Sequence, residues 1–328
     1  MARASMTSSA GDVIEGRYRL SQPLGKGGMA EVWAAVALDT GDEVAVKILR
    51  EGAGIDSELG RRMRREADLV SAIKSPRICS LLGSGVWKSR LYLVFERLRG
   101  EPLADLLERE GTLPFAEVAE IVSGILDGLS DAHRAGVIHR DLTPWNIFLE
   151  GWDSDRKIRL IDFGISKAAQ GESTITNQGG TLGSYGYMAP EQAKAAHEVD
   201  ERADIYAVGV IAFQCLAGRV PFESGDPYAA LSLKAQVDPP TLGEVTAETW
   251  PADLERFLRA ALARNRGDRF PSAFAALTAW RAVVAKNQQA RTRRHAATAQ
   301  PREDTHTETM TAAPRGAGPG RRPRGGSR

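Results

Sequence analysis

The chain has 328 residues, 42% hydrophobic and 26% charged, an ordinary composition for a globular protein of one or two domains. Two cysteines, Cys79 and Cys215, are too few for a disulfide framework and read as buried free thiols in a reducing compartment. The formal charge of +1 is uneven: residues 286–328 carry ten Lys/Arg against three Asp/Glu, a net +7, which leaves about −6 for the rest. Met1–Gly16 is small and polar without an apolar run, which excludes a signal peptide and predicts a flexible N-terminus over residues 1–17. The longest apolar stretch, Ile205–Gly218, is interrupted by Gln214 and is too short to span a bilayer; it predicts a buried core helix.

In chain order, Tyr18–Leu24 predicts a strand. Gly25-Lys26-Gly27-Gly28-Met29-Ala30 then breaks the pattern before a second β-rich run to Leu38. A hairpin tip without side chains lets backbone N–H groups approach phosphates closely, although the same glycines alone also suit a plain turn. Val44-Ala45-Val46-Lys47 predicts a third strand, in which a lysine inside an apolar alternation is costly unless paired. A helix is expected over Ser57–Ile73, with Leu59, Met63, Val70 and Ile73 as its apolar positions; Glu58, Glu66 and Asp68 compete there as partners for Lys47. Leu91–Phe95 predicts a buried strand that exits through Glu96-Arg97-Leu98. A long helix begins at Pro114, repeats Val118, Ile121, Val122, Ile125, Leu126 and Leu129 at helical spacing, and ends at Gly136.

The stretch that follows is the most informative in the chain. Asp141 and Asn146 stand five residues apart, and Asp162 follows after one β-hairpin's length. Apolar runs flank each of them (Val137-Ile138, Ile147–Leu149, Ile158–Ile161), so the polar groups belong at strand ends around a cleft. Two carboxylates and an amide converging there can hold a divalent cation by oxygen ligands and leave one carboxylate to orient a hydroxyl. That is the equipment for phosphoryl transfer. Beyond Gly164, Ile165–Gln178 is rich in Ser, Thr, Gly and Asn and predicts a mobile loop. From about Ala285 the chain turns to Arg, Gly, Pro and Thr, which predicts a disordered basic tail over 285–328. Its charge suits acidic partners; nucleic acid is not the expected one.

His139-Arg140-Asp141-Leu142-x-x-x-Asn146 followed by Asp162-Phe163-Gly164 resembles the catalytic loop and metal-binding turn of the eukaryotic-type (Hanks-type) bacterial serine/threonine protein kinases. Other motifs of that family occur in order over about 18–284: Gly25-Lys26-Gly27-Gly28-Met29, Lys47, Arg65-Glu66-Ala67, Gly183-Ser184-Tyr185-Gly186-Tyr187-Met188-Ala189-Pro190-Glu191, Asp204-Ile205-Tyr206-x-x-Gly209 and Arg269. The resemblance implies an α+β, bilobal fold, with a small β-rich lobe over about 18–95 and a larger, mainly helical lobe over about 99–284. It implies ATP with Mg²⁺ or Mn²⁺, and protein Ser/Thr as acceptor. Asp141 would orient the substrate hydroxyl, Asn146 and Asp162 would hold metal, and Lys47, paired with Glu66, would hold the α/β-phosphates. Leu24, Gly25, Lys26, Gly27, Gly28, Val32, Ala45, Glu96, Leu98 and Phe148 would complete the nucleotide site, with Phe95 closing its back. His139 would pack on Phe163, Asp204 would support the loop backbone, and Arg269 would pair with Glu191. Arg140 beside Asp141 implies switching by phosphate on the loop hydroxyls Ser173, Thr174, Thr176 or Thr181, with Thr174 and Thr176 preferred over Ser166, and self-association for autophosphorylation in trans. Relatives often carry a membrane span after the kinase domain; none is read here, so a cytoplasmic location is expected.

One position departs from the family. Thr143 stands where a lysine usually contacts the γ-phosphate, which keeps a second reading open: a nucleotide-binding pseudokinase scaffold. A related small-molecule phosphotransferase is a third reading, disfavoured by the Ala189-Pro190-Glu191 segment and by Arg140.

Overall fold

The computed structural model describes residues 8–27, 30–49, 65, 67–152, 156–163, 184–193 and 199–299. The first sheet runs through β1 (Val13–Ile14), β2 (Tyr18–Lys26), β3 (Ala30–Ala37), β4 (Glu43–Leu49), β5 (Leu81–Trp87) and β6 (Arg90–Glu96), in the order β1-β2-β3-β4-β6-β5 with every pairing antiparallel. The two faces of this sheet differ in a way the period of two dictates. Trp33, Ala35, Val44, Val46, Ile48, Tyr92 and Val94 point one way and form a small core of their own with Ile14, Tyr18 and Leu20. The opposite face carries Val32, Ala34, Ala45, Lys47 and Phe95, all half-buried. Register places them side by side: Val32 opposite Lys47, Ala34 opposite Ala45, Ala45 opposite Phe95. Lys47 therefore lies on the face that does not close on its own core.

The N-terminal expectation is corrected from residue 8 onward. Ile14 pairs with Tyr18 and is fully buried, and the Glu15 carboxylate accepts a hydrogen bond from the Tyr92 hydroxyl at 2.7 Å. The Ser8 hydroxyl donates to Glu31 at 2.5 Å, and Arg90 reaches the same carboxylate at 2.5 Å. A polar sequence without an apolar run is ordered here because the buried Ile14 and a few part-buried polar bonds suffice to edge a sheet.

The second lobe begins with β7 (Gly100–Pro102), which forms a small sheet with β8 (Ile147–Glu150) and β9 (Lys157–Leu160). Its helices are α1 (Leu103–Glu110), α2 (Phe115–Arg134), α3 (Arg202–Ala217), α4 (Pro227–Gln236), α5 (Leu242–Thr246), α6 (Ala252–Ala261) and α7 (Ala273–Ala299). Helix α3 is buried on every side from Ala203 to Phe213, as its apolar sequence from Ile205 onward requires. Helix α2 packs against β9 at Gly124 and Gly128. A Cβ at Gly124 would lie 2.6 Å from Ile158, and one at Gly128 would lie 2.9 Å from Leu160. These glycines bring the helix close to the strand that delivers Asp162. No helix among the described residues is long and apolar enough to cross a membrane.

The chain divides into a compact unit up to Asn287 and a second unit from Gln288. Over the first residues of the expected disordered tail, 285–299, α7 continues to Ala299, and the tail from 300 to 328 lies outside the described residues. Residues 285–299 are mostly Ala, Arg, Gln and Thr, and their good helix formers let a helix propagate without a core to bury. Of the helix expected over Ser57–Ile73, residues 67–71 are helical and the part before Arg65 lies outside the described residues.

Candidate active site

The catalytic loop is held from beneath by one carboxylate. Asp204, in the first turn of α3, is 1% exposed. Its two oxygens accept the backbone N–H groups of His139 and Arg140, each at 2.8 Å, and His133 approaches at 2.8 Å. Burial alone would raise its pKa, but the His133 contact and the histidines' charge outweigh that and hold it below the ordinary value of 3.8. The loop needs such an anchor. Arg140 has φ 61° and Asp162 has φ 56°, left-handed conformations that are unfavourable for residues with a Cβ. Both residues adjoin the expected chemistry. Strain kept at such positions has to be over-determined by its surroundings.

The rest of the loop is fixed from within. The Asn146 amide donates to the Asp141 carbonyl at 2.7 Å, and a 3₁₀ turn spans Pro144–Asn146. The Ile161 N–H donates to the Asn146 carbonyl at 3.0 Å, so the strand exit carrying Asp162 is stitched to the turn carrying Asn146. The His139 ring lies 4.7 Å from the Phe163 ring, and its Nε2 is 3.1 Å from the Ile161 carbonyl. Fully buried, His139 packs the loop against the turn.

Lys47 crosses the cleft. Its Nζ lies 2.7 Å from Asp162 Oδ1, joining β4 to the end of β9. Glu66, its expected partner, lies outside the described residues, as do Gly28, Ser166, Ser173, Thr174, Thr176 and Thr181. Gly25 and Gly27 are placed at the β2–β3 hairpin tip, where Gly27 N–H donates to the Ala30 carbonyl at 2.9 Å. Neither has a positive φ. A Cβ on Gly25 would meet nothing within 4 Å, and one on Gly27 only the Ala30 carbonyl at 3.8 Å. Neither backbone conformation nor packing requires glycine at these positions, so the tip has open space around it.

At the hinge, Glu96 ends β6. Its carboxylate accepts the Ser80 N–H at 2.6 Å and pairs with Arg159. Arg159 also donates to the Ile78 carbonyl at 3.1 Å and to Glu150 at 3.0 Å. The Glu96 side chain is thereby committed to joining the lobes, while its backbone N–H donates to the Ser80 carbonyl at 3.0 Å. Leu98 is buried, while Ala45 and Phe148 are half-buried and Leu24 and Lys26 are exposed. The Cys79 and Cys215 thiols are free and buried, and burial pushes each up to about 12, so they are inert as nucleophiles.

A further segment adjoins the catalytic loop. The Ala189 N–H donates to Gln192 at 2.8 Å, and Gln192 donates to the Arg140 carbonyl at 2.9 Å. Glu191 forms a bidentate pair with Arg269, at 2.6 and 2.8 Å. The Tyr187 hydroxyl donates to Gln214 at 2.6 Å. Sequence reasoning found Glu191, Arg269 and Asp204 but missed Gln192 and Arg159. Arg159 sits in a strand, where its period-two position among Ile158 and Leu160 was the available signal.

Among the described residues no group of three or more His, Cys, Asp or Glu could hold a metal. The donor set nonetheless fits Mg²⁺. Asp162 and Asn146 supply two oxygens, and this ion habitually takes one or two protein ligands and completes its shell with phosphate and water.

Comparison with known proteins agrees with this geometry. The family model for the protein kinase domain matches residues 18–280. The serine/threonine-protein kinase pkn3 of Myxococcus xanthus is 37% identical over 270 residues, covering 80% of this chain and 49% of that protein. The serine/threonine-protein kinase PrkC of Bacillus subtilis is 34% identical, covering 80% of this chain and 40% of its own length. This chain thus spans half or less of the curated relatives it matches. Among solved structures, the PknI kinase domain of Mycobacterium tuberculosis superposes with a TM-score of 0.65 at 28% identity, covering 84% of this chain and 99% of that one. The chain belongs to the protein kinase family, within its eukaryotic-type bacterial serine/threonine branch.

Proposed function

We propose that the chain transfers the γ-phosphoryl group of ATP to serine or threonine hydroxyls of proteins, its own loop included. The observation that carries this reading is the Lys47–Asp162 contact at 2.7 Å, which sets a cation and a metal-binding carboxylate across one cleft beside a doubly anchored Asp141 loop. A pseudokinase scaffold has no need of all four of Lys47, Asp141, Asn146 and Asp162.

The nucleotide would lie between the half-buried sheet face and the second lobe. Ala45, Val32, Leu24 and Phe148 offer apolar surface to the base, and the backbone of Glu96–Leu98 offers its hydrogen bonds. The glycine-rich tip Gly25-Lys26-Gly27-Gly28 would cover the phosphates. Lys47 would hold the α/β-phosphates, with Glu66 as its expected partner. Mg²⁺ or Mn²⁺, held by Asp162 and Asn146, would neutralise charge on the phosphate oxygens. Asp141 accepts a hydrogen bond from the substrate hydroxyl, orients it in line with the phosphoryl group and receives its proton. The buried thiols and the need for ATP support a cytoplasmic setting. Trans-autophosphorylation between two copies, with Thr174 and Thr176 as first acceptors, is part of the same proposal, and acidic partners for the basic tail accord with its charge.

The test is direct. Purified protein with Mg-ATP is expected to label casein, and Asp141→Asn to lower that rate by about 10²–10⁴-fold with little change in the KM for ATP. Asp162→Asn is expected to weaken Mg-ATP binding instead. A wild type that labels neither casein nor itself, with both variants indistinguishable from it, sinks the proposal.

A further inference from the structure

Lys234, on α4, is 1% exposed, yet among the described residues no carboxylate pairs with it. A buried cation without a counter-ion is costly and needs an account. Its ammonium meets three backbone carbonyls, those of Tyr185 at 2.7 Å, Gly186 at 2.6 Å and Met188 at 3.0 Å. An ammonium has three N–H donors, and each one here has an acceptor. The ring of Tyr206 adds a weaker attraction, its centroid 5.7 Å from Nζ. Burial pushes the Lys234 pKa down to about 7, while three aligned carbonyls pull the other way by favouring the charged form.

Three carbonyls drawn from four consecutive residues onto one point fix the backbone of that turn, which opens with the 3₁₀ helix Ser184–Gly186. The other end of the same segment is bonded to the catalytic loop, through Ala189, Gln192 and the Arg140 carbonyl. A segment tied at one end beside Asp141 and at the other to Lys234 is a ruler laid against the catalytic carboxylate. We infer that Lys234 is a positioning residue for the protein substrate: by gathering the carbonyls of Tyr185, Gly186 and Met188 it sets the path along which the acceptor peptide lies. This rests on the kinase reading above and names what the chain adds to it. Among the described residues the Lys234 ammonium bonds only to the carbonyls of Tyr185, Gly186 and Met188, none of them assigned to ATP, so its effect is expected on the acceptor side.

The test separates the two substrates. Lys234→Met keeps the length and apolar volume of the side chain and removes the donors. The KM for ATP is expected to stay near the wild-type value. The kcat/KM for casein is expected to fall about 10- to 100-fold, as misplacement of a reacting group by about 1 Å does. Lys234→Arg, which keeps charge and donors on a larger planar group, is expected to recover part of the loss, and Lys234→Gln less of it. A Met variant with wild-type kcat/KM for casein overturns the inference, as does one whose KM for ATP rises as much as that for casein. If the Met variant does not fold, the Arg and Gln variants decide: Arg no better than Gln overturns the inference. A wild type inactive toward casein and toward itself removes the kinase reading and this inference together, whereas an active wild type with an indifferent Lys234 removes this one alone.

Discussion

Asp204→Asn is the sharpest perturbation the structure offers, because it changes one buried atom and leaves shape alone. The carboxylate accepts two backbone N–H groups and lies 2.8 Å from His133. An amide keeps one accepting oxygen and turns an NH₂ group toward the donors that faced the other. At least one charge-assisted hydrogen bond is lost, worth about 1.5–3 kcal/mol, and a backbone donor is left buried without an acceptor, costing about 1–3 kcal/mol more. The expected loss of stability is about 3–5 kcal/mol, in line with breaking a buried charged contact and a large part of a typical domain's ~5–15 kcal/mol. The bond from Arg140 N–H also holds a left-handed residue next to Asp141, so kcat should fall with it while the KM for ATP changes little. The pH dependence has a definite sign. Because the folded carboxyl sits below its ordinary value of 3.8, its contribution is fully present above that pH and is lost as pH falls through the folded value. The gap between wild type and variant should therefore be complete at neutral pH and close only in strong acid. Urea unfolding at several pH values, with casein phosphorylation in parallel, measures all of this. A variant within about 0.5 kcal/mol of wild type at pH 7, with unchanged kcat, would show that the loop holds its shape without the carboxylate.

Arg159→Met removes the guanidinium that joins Glu96, Glu150 and the Ile78 carbonyl, so the KM for ATP should rise severalfold with kcat held; an unchanged KM would show that the hinge is set by β6 alone. Thr143 makes no side-chain cap to the 3₁₀ turn it precedes, but it is buried, so in Thr143→Lys the longer side chain has to carry its ammonium out to the cleft. It should raise kcat if a cation near the γ-phosphate is limiting, and an unchanged or lower kcat would show that Lys47 and the metal already supply the charge. Phosphatase-treated protein should start slowly and accelerate on preincubation with ATP, and the double change Thr174→Ala, Thr176→Ala should abolish the acceleration. A full rate from the first time point, with no loop phosphate by mass spectrometry, refutes that switch.

Much of the site was legible because its chemistry forces residue type and spacing together. Asp141 and Asn146 must share one turn, and the sequence puts them five apart with strand-forming residues on either side. The strands were equally legible where one face closes on a core: Val44, Val46 and Ile48 alternate with Ala45 and Lys47, and the structure sends the two sets to opposite faces. Legibility failed where structure comes from partners distant in the chain. Ser8 to Gly16 has no pattern of its own, and its order depends on Glu31, Arg90 and Tyr92, which only the folded sheet brings near. The tail misled for the opposite reason. A composition unable to bury a core was read as disorder, but a helix requires only good helix formers and a neighbouring turn to grow from, and α7 supplied the turn.

Lys234 marks the limit of such reading. In Ala230-Leu231-Ser232-Leu233-Lys234-Ala235 a lone lysine on a short helix is the commonest of surface features, and nothing in the local pattern marks it as buried. Its significance lies in carbonyls 46 to 49 residues earlier in the chain, and backbone carbonyls leave no trace in sequence at all. Asp204 differs although it too serves backbone groups. It stands in a motif, Asp204-Ile205-Tyr206, whose register against Gly209 and the apolar α3 singles it out. Side chains that act on other side chains can be paired where a family's motifs carry both, as Arg269 and Glu191 were. Those that act on the backbone are found only when the chain is folded, unless a motif carries them. The residues most easily missed from sequence are therefore the ones that shape a site rather than react in it.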